Sequence, residues 1–445
     1  MSGNGLPRTL GLRDLTLLII GTVIGSGIFL VPGAVLTQVH GSVPAALLAW
    51  VVGGIVSMLG ALTYGELSAA HPKAGGLYVY IRDCFGAFPA FLFGWALFFA
   101  IGNGAIAALA VGFSNNLGQV ISMSPAAAKW MAVLVIVAVT AVNVLGTRRS
   151  AHLQYWTTAI KVGVLLVMSV VLLWLGEGFS SAQENLQPLR IDTSLASGFG
   201  LAMLGVLWAY EGWQWGTFSA GETIDPQRNF PRAFLIGVFA LIGIYLLANL
   251  AYLAALGPAA MAGSKSAAAA SLAAVVGPRS AKFIALAIAI SILGAINGTI
   301  LTVSRVYYAM AQDGVFFKKL AEVHPRFRTP AFAVIAGSLW AAVLTATGTF
   351  EQLFTYTVFT GWIFYGLAAA SIFVYRRKER DTPRPYDVPG YPLTPLLFIL
   401  AAAALVLNTV IAQPRTAGIG LVIVLLGAPA YLIWRARTPA PTTSS

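Results

Sequence analysis

The fold is decided by a glycine-rich stretch near the N-terminus, Ile20-Gly21-Thr22-Val23-Ile24-Gly25-Ser26-Gly27-Ile28-Phe29. It places three glycines within seven residues of an otherwise apolar run. Each glycine weakens a helix by about 1 kcal/mol relative to alanine. Close packing of neighbouring membrane helices through small residues is the alternative interpretation. We favour a helix that is interrupted here, with its backbone open to a ligand.

A second apolar run is interrupted in a similar way by Leu207-Trp208-Ala209-Tyr210-Glu211-Gly212-Trp213-Gln214-Trp215. The acidic residue and its neighbouring glycine stand near the middle of the run, which argues against an aromatic belt at the membrane interface. A helix broken inside a membrane offers free N–H groups to an anion and free carbonyls to a cation. A zwitterionic amino acid requires both.

The composition places both stretches in a membrane protein. Of the 445 residues, 58% are apolar and 9% are charged, whereas soluble domains carry about 25% charged residues. The apolar segments lack the alternating polarity of β-barrel strands. We therefore predict an all-α integral membrane protein with about twelve spanning helices. They are placed at 14–38, 43–66, 86–113, 126–146, 153–175, 196–219, 233–256, 281–311, 330–349, 352–375, 393–412 and 417–434.

The basic residues predict the orientation of the chain. Nineteen of the 27 lysines and arginines fall on the side of the membrane that holds both termini, and six fall on the other side. Because basic loops remain in the cytoplasm, residues 1–13 and 435–445 are predicted to be short cytoplasmic tails. We expect a multi-pass protein of the plasma or inner membrane. The same asymmetry explains the net charge of +12 without nucleic-acid binding.

The two interrupted spans are the first and the sixth in the predicted order. A separation of five helices fits two five-helix repeats of inverted topology. The first repeat is predicted at residues 14–175 and the second at 196–375, and helices 11 and 12 follow at 393–434.

Enzymatic chemistry is not indicated by the sequence. The loops are too short for a catalytic domain, and the spans lack a histidine or paired aspartates that would supply a nucleophile or a metal site. Cys84 is the only cysteine, which excludes an internal disulfide and a cysteine-based metal cluster. We therefore expect that the protein is not an enzyme and that it binds no cofactor and no metal.

Lys161 and Arg305 are the two basic residues that lie within predicted spans. Lys161 follows His152 by nine residues, which puts it roughly 13 Å inside the membrane at 1.5 Å per residue. A charge at that depth costs about 3 kcal/mol unless it is paired. Snorkelling of the side chain, the alternative, recovers only part of the depth. Lys161 is therefore expected to have partners in the protein interior.

Further segments join the two interrupted ones in order along nearly the whole chain, at 72–80, 222–232, 297–305, 309–314 and 384–392. The ordered set resembles the amino acid–polyamine–organocation superfamily, in its L-type amino acid transporter branch. This resemblance implies a LeuT-type fold with helices 1 and 6 broken, and transport of amino acids by alternating access.

The resemblance also assigns roles to residues of the two breaks. Backbone N–H groups around Ser26 and Gly27, with nearby hydroxyls, would bind the substrate carboxylate. Carbonyls of both breaks would bind the α-ammonium, and Trp208 would cap the substrate as a gate. The implied substrate-binding residues are Thr22, Ile24, Gly25, Ser26, Gly27, Trp208, Ala209 and Glu211.

Charged residues receive roles by the same resemblance. The ammonium of Lys161 would stand where sodium-coupled relatives hold sodium, with Thr299 as its partner on helix eight. Arg305 is assigned from its position instead: near the cytoplasmic end of helix eight it could reach Glu222 or Asp225 and act as a gate or structural pair, and snorkelling of its side chain is the alternative. Glu211 is left with two roles, since it either organises the break of helix six or selects a cationic side chain.

The predicted function is sodium-independent exchange of neutral L-amino acids. A proton-coupled carrier of cationic amino acids or polyamines is the alternative, and a membrane sensor that does not transport is a third hypothesis.

Small residues of the third span (Gly102, Asn103, Ala107 and Ala108) would make room for larger side chains of the substrate. The expected partners are an amino acid and membrane lipid. The loop at 114–125 holds no cysteine, so a disulfide-linked subunit of the kind found in some family members is not expected.

Overall fold

The computed structural model describes residues 6–178, 193–347 and 350–437. The ends of the two predicted tails, at 1–5 and 438–445, and the last residues of the predicted span 330–349 lie outside these ranges. The described residues form helices α1 (Leu12–Val23), α2 (Gly27–Gln38), α3 (Val43–Ala70), α4 (Leu77–Phe85), α5 (Ala87–Ala96), α6 (Gly102–Gly118), α7 (Pro125–Val144), α8 (Thr147–Leu175), α9 (Thr193–Ala209), α10 (Pro226–Ala262), α11 (Ala267–Val276), α12 (Ser280–Gln312), α13 (Ala331–Thr347), α14 (Phe350–Lys378), α15 (Leu393–Ala412), α16 (Pro414–Leu425) and α17 (Gly427–Arg437).

The helices confirm the prediction of an all-α, multi-pass membrane protein. Within the described ranges, nine helices are long and apolar enough to cross a membrane, and the bent pair α1 and α2 makes a tenth. The two other predicted spans, 196–219 and 330–349, correspond to the 17-residue helices α9 and α13.

The first predicted break is present between α1 and α2. At the start of helix α1 the Asp14 carboxylate accepts the Gly11 N–H at 3.0 Å, which satisfies one main-chain N–H group at the helix N-terminus. It ends at Val23, and α2 leaves at an angle of 45° after three non-helical residues. A Cβ atom on Gly27 would lie 2.8 Å from the Cα atom of Ala209. Glycine is therefore what allows this close approach.

The second predicted break follows α9. Gly212 has φ +119°, a conformation that side chains rarely adopt, and a short 3₁₀ helix then runs over Trp213–Glu222. A Cβ atom on Gly212 would come within 3.2 Å of the Thr22 carbonyl oxygen. The glycines thus bring the two breaks into direct contact.

Helix α12 lies at the centre of the bundle. Buried residues make up 83% of its most apolar stretch, against 28% for α15. Leucines of α15 such as Leu400 and Leu407 are more than half exposed, as expected for side chains that face lipid. The central position of α12 places it against both α1 and α8, next to the first break.

Candidate functional site

A small cavity lies between the two breaks. Six of the eight residues that were predicted to bind substrate line it, together with the predicted Thr299. Ile24 and Ala209 are not among the lining residues. The remaining wall comes from residues that the sequence did not single out. These residues are Val23, Ala105, Leu109 and Trp215. The six lining residues that were predicted are Thr22, Gly25, Ser26, Gly27, Trp208 and Glu211.

One end of the cavity carries free donors. Helix α2 begins at Gly27, and the first N–H groups of a helix have no acceptor within it. The Ser26 hydroxyl is buried and has no hydrogen-bond partner among the described residues. The Thr22 hydroxyl, in contrast, donates to the Leu18 carbonyl at 2.5 Å, so it offers an incoming ligand only its lone pairs. This end of the cavity suits a carboxylate.

The carbonyls of the two breaks are already engaged. The Ile24 carbonyl accepts from Lys161 Nζ at 2.6 Å and from Ser291 Oγ at 3.0 Å, which uses both of its lone pairs. The Ala209 carbonyl accepts from the Tyr245 hydroxyl at 2.7 Å. In this conformation the Ile24 carbonyl therefore faces Lys161 rather than the cavity, unlike the arrangement that the resemblance implied.

The Lys161 ammonium is fully surrounded by protein. Its Nζ donates to the carbonyls of Gly21 at 2.8 Å, Ile24 at 2.6 Å and Ser291 at 2.6 Å. Since Nζ has three protons, each proton has an acceptor. These bonds join α8 to the broken helix α1 and to α12.

The expected contact between Lys161 and Thr299 is not formed. The Thr299 hydroxyl donates to the Ala295 carbonyl one turn earlier in α12, at 2.8 Å. Its place as the α12 partner is taken by the Ser291 carbonyl. Thr299 instead lines the cavity, because it lies two turns beyond Ser291 along α12.

Glu211 is held by two donors. The Tyr365 hydroxyl and the Gln214 side-chain amide each donate to Oε1 at 2.6 Å. The Trp215 indole donates in turn to the Tyr365 hydroxyl at 3.3 Å. These bonds tie the break after α9 to α14, and the carboxyl group still borders the cavity.

Helix α6 contributes Ala105 and Leu109 to the cavity wall. Of the small residues that were expected to widen the pocket, Asn103, Ala107 and Ala108 are fully buried and none lines the cavity. That expectation named the wrong face of the third span.

Arg305 forms a fully buried ion pair with Glu222. Its Nε and Nη2 atoms donate to the two carboxylate oxygens at 2.5 and 3.0 Å, and the Thr147 hydroxyl joins the pair at 2.7 Å from Glu222. The main-chain N–H groups of Thr9 and Leu10 donate to the Glu222 carbonyl. Of the two acids expected near Arg305, the partner is Glu222. The cluster fastens the chain start, α8 and α12 together.

The chain is similar to known proteins over nearly its whole length. A model of the amino acid permease family matches residues 10–428. The chain belongs to the amino acid permease family. It is 32% identical to the serine/threonine exchanger SteT of Bacillus subtilis (strain 168) over 433 residues, which cover 96% of this chain and 97% of the relative.

Mammalian relatives of the permease are similar over comparable lengths. The large neutral amino acids transporter small subunit 2 of Mus musculus is 33% identical over 442 residues, covering 97% of this chain and 82% of the relative. The b(0,+)-type amino acid transporter 1 of Homo sapiens is 32% identical over 418 residues, covering 92% and 84%.

The permease is closed around its cavity. The cavity volume is about 30 Å³, room for roughly one or two water molecules. An amino acid can occupy it only after the surrounding helices move apart. Within the described ranges, no group of three or more His, Cys, Asp and Glu side chains could hold a metal ion.

Three polar residues of the permease site escaped the sequence analysis, namely Ser291, Tyr245 and Tyr365. Ser291 acts through its carbonyl as well as its hydroxyl, and a carbonyl leaves no signal in a sequence. Tyr245 and Tyr365 are isolated hydroxyls in apolar runs, where a buried hydroxyl normally needs a partner. That requirement was the one available signal.

Proposed function

We propose that this chain is a sodium-independent exchanger of neutral L-amino acids that works by alternating access. The observation that carries the proposal is the Lys161 ammonium, bound to three carbonyls beside a cavity that lies between two broken helices. The names of the relatives support amino acids as the class of substrate. One is called a serine/threonine exchanger and another a transporter of large neutral amino acids.

The position of Lys161 supports the proposal of sodium independence. Three carbonyl oxygens converge within 2.8 Å on one cationic nitrogen, and oxygen ligands of this kind also suit a metal cation. A second cation would be repelled by the ammonium. The chain thus supplies from its own sequence the charge that a coupling ion would bring.

The substrate carboxylate is proposed to bind the N–H groups at the start of α2 and the Ser26 hydroxyl. The α-ammonium is proposed to bind carbonyls near Ile24 and Ala209 once the helices separate, when these carbonyls change partners. Trp208 would close over the substrate, and Arg305 would hold the opposite end of the bundle shut. Movement of the repeats 14–175 and 196–375 against each other would expose the cavity to each side in turn.

The role proposed for Glu211 is to organise the second break, because Tyr365 and Gln214 both donate to it. A specific observation keeps the second candidate function in view. Glu211 is the acidic residue among those that line the cavity, where it could select a cationic side chain. A proton-coupled carrier of cationic amino acids or polyamines is therefore the alternative.

We further propose that the protein lies in the plasma or inner membrane with both termini in the cytoplasm. It would work without a disulfide-linked subunit, since its one cysteine, Cys84, lies in α4 and donates to the Ser371 carbonyl at 3.5 Å.

Uptake into proteoliposomes tests the proposed function. Preloading with unlabelled serine should accelerate uptake of labelled serine, and empty proteoliposomes should take up almost none. A uniporter would also fill empty proteoliposomes, and a sensor would show no uptake in either case. Uptake of labelled arginine or putrescine driven by a pH gradient, and lost in Glu211→Gln, would establish the alternative instead.

A further inference from the structure

The third span contains one π-helical turn. It occupies Leu97–Ile101 and joins α5 to α6. The Gly102 N–H donates to the Leu97 carbonyl five residues earlier, as in a π-helix. Such a turn holds one residue more than a regular α-helical turn and is often found at functional sites.

Three successive carbonyls of the turn are bonded by side chains. The Tyr307 hydroxyl donates to Leu97 at 3.2 Å, the Asn103 amide to Phe98 at 2.7 Å and the Trp340 indole to Phe99 at 3.2 Å. The donors come from α12, α6 and α13. The Leu97 carbonyl thus accepts from Tyr307 in addition to the Gly102 N–H, while the carbonyls of Phe98 and Phe99 accept from side chains of α6 and α13. These side-chain donors hold the turn at this position.

The same turn is tightly packed. The Phe98 ring meets the Tyr307 ring at 5.0 Å, and the Phe99 ring meets the Trp340 ring at 5.3 Å. A Cβ atom on Gly337 would lie 3.1 Å from Asn103 Oδ1. Asn103 is fully buried, and glycine at position 337 leaves room for its side chain beside α13.

An extra residue in a helix changes which side chains face a given direction. Successive helical residues are about 100° apart, so α6 is rotated by about one residue relative to an uninterrupted helix. With the turn present, Ala105 and Leu109 line the cavity. In a regular helix continued from α5, the preceding residues, Gly104 and Ala108, would take these places. Both are smaller.

We propose that the π-turn, held by Asn103, sets the size selectivity of the substrate cavity by choosing which residues of α6 form its wall. Asn103 is then a positioning residue that acts through Ala105 and Leu109. This inference rests on the proposed function, because it treats the cavity as the substrate site.

Two single-residue deletions test the register directly. Deletion of Ala100 removes the extra residue of the turn, so α6 should keep its orientation and exchange should retain its order of preferred substrates. Deletion of Ala107 is the matched control, since it removes a buried alanine from a regular turn and rotates Leu109 away from the cavity. It should abolish exchange. Equal loss of exchange in both deletions, with both proteins monodisperse, would overturn the proposal.

The substitution Asn103→Leu tests whether the Asn103 side chain holds the π-turn in place. Release of the turn should bring the smaller residues to the wall. Inhibition of labelled serine exchange by phenylalanine should then strengthen about tenfold relative to inhibition by alanine, the scale of one methylene in an apolar pocket. In the protein that lacks Ala100, the same substitution should leave this ratio unchanged, because no extra residue remains. A ratio that is unaltered in Asn103→Leu, or altered equally in both backgrounds, contradicts the proposal.

A chemical readout separates this inference from the proposed function. In a Cys84→Ser background, Ala105→Cys should react with a small thiol reagent and Gly104→Cys should not, and addition of Asn103→Leu should reverse the two reactivities. Failure of wild-type exchange would refute the proposed function alone. Unchanged reactivities on addition of Asn103→Leu would refute the register inference alone.

Discussion

The side-chain nitrogen of Lys161 lies 2.6 Å from the carbonyl oxygen of Ile24, at the point where the first helix is broken. The bond joins a charge carried by α8 to a carbonyl that α1 cannot satisfy internally. Each group removes the cost of burying the other, since a buried charge needs partners and a buried carbonyl needs a donor. The break and the lysine are therefore one structural unit.

Replacement of this lysine should disable exchange. In Lys161→Ala the carbonyls of Gly21, Ile24 and Ser291 lose their shared donor, and the break loses its fixed geometry. We expect the initial rate of exchange to fall by about tenfold or more, which corresponds to a loss of only about 1.4 kcal/mol in the transition state. Lys129→Ala, at an exposed lysine of α7, is the control and should exchange at the wild-type rate. A wild-type rate in Lys161→Ala would refute the role given to the ammonium.

The contact between the two breaks predicts a contrast between two glycines. Gly27→Ala would push a Cβ atom to 2.8 Å from the Ala209 Cα atom, an overpacking that costs about 1–3 kcal/mol. Exchange and the melting temperature should both decrease. In Gly163→Ala the new Cβ atom meets no atom of the described residues within 4 Å, so this control should be neutral or stabilised by up to about 1 kcal/mol. Equal behaviour of the two variants would contradict the proposed close contact.

The buried pair of Arg305 and Glu222 should matter mainly for stability. Removal of one partner leaves an uncompensated buried charge, which costs about 3–5 kcal/mol. We expect Arg305→Met to lower the melting temperature in detergent strongly, and the double variant Arg305→Met with Glu222→Leu to recover part of the loss. Arg228→Ala breaks an exposed pair with Asp225, at 4.0 Å, and should change little, as is usual for surface pairs. A double variant less stable than Arg305→Met would argue against this pairing.

His71, which follows the end of α3, should make stability depend on pH. Burial lowers the pKa of His71 below its ordinary value of 6.5, while Glu379, at 3.4 Å, opposes the shift and Lys73 and Asp83 contribute in opposite directions. As pH falls through about 6.5, the unfolded chain takes up a proton that the folded protein does not, so stability decreases.

The substitution His71→Phe checks this pH dependence, because it keeps the stacking on the Tyr375 ring, at 3.8 Å, and removes the titrating group. The decrease in melting temperature between pH 7.5 and 5.5, measured in detergent, should be smaller than in the wild type. His152→Phe, at an exposed histidine of α8, should follow the wild type. An unchanged slope in His71→Phe would remove His71 from the explanation.

Both breaks and the depth of Lys161 could be predicted from the sequence because each depends on local chemistry. Glycines weaken a helix wherever they stand, and a lysine far inside an apolar run must find partners. The choice of Ser291 over Thr299 as that partner could not be predicted. The two residues share nearly the same face of α12, and the decision rests on how far α12 is shifted along α8.

The register of the third span was missed for a related reason. Residues 87–118 are apolar on nearly all sides, so no periodicity marks one face as the cavity wall. The π-turn depends on Tyr307 and Trp340, which are more than 200 residues away in sequence. A donor so distant is not visible in the local pattern, and the expected small residues consequently fell on the wrong face.

Sodium replacement tests the central claim most directly. The measurement is the initial rate of labelled serine uptake into proteoliposomes preloaded with unlabelled serine, with external sodium fully replaced by potassium. Because Lys161 takes the place of a coupling ion, the initial rate with external sodium and the initial rate with external potassium should be equal. A rate that rises steeply with an inward sodium gradient would contradict the account.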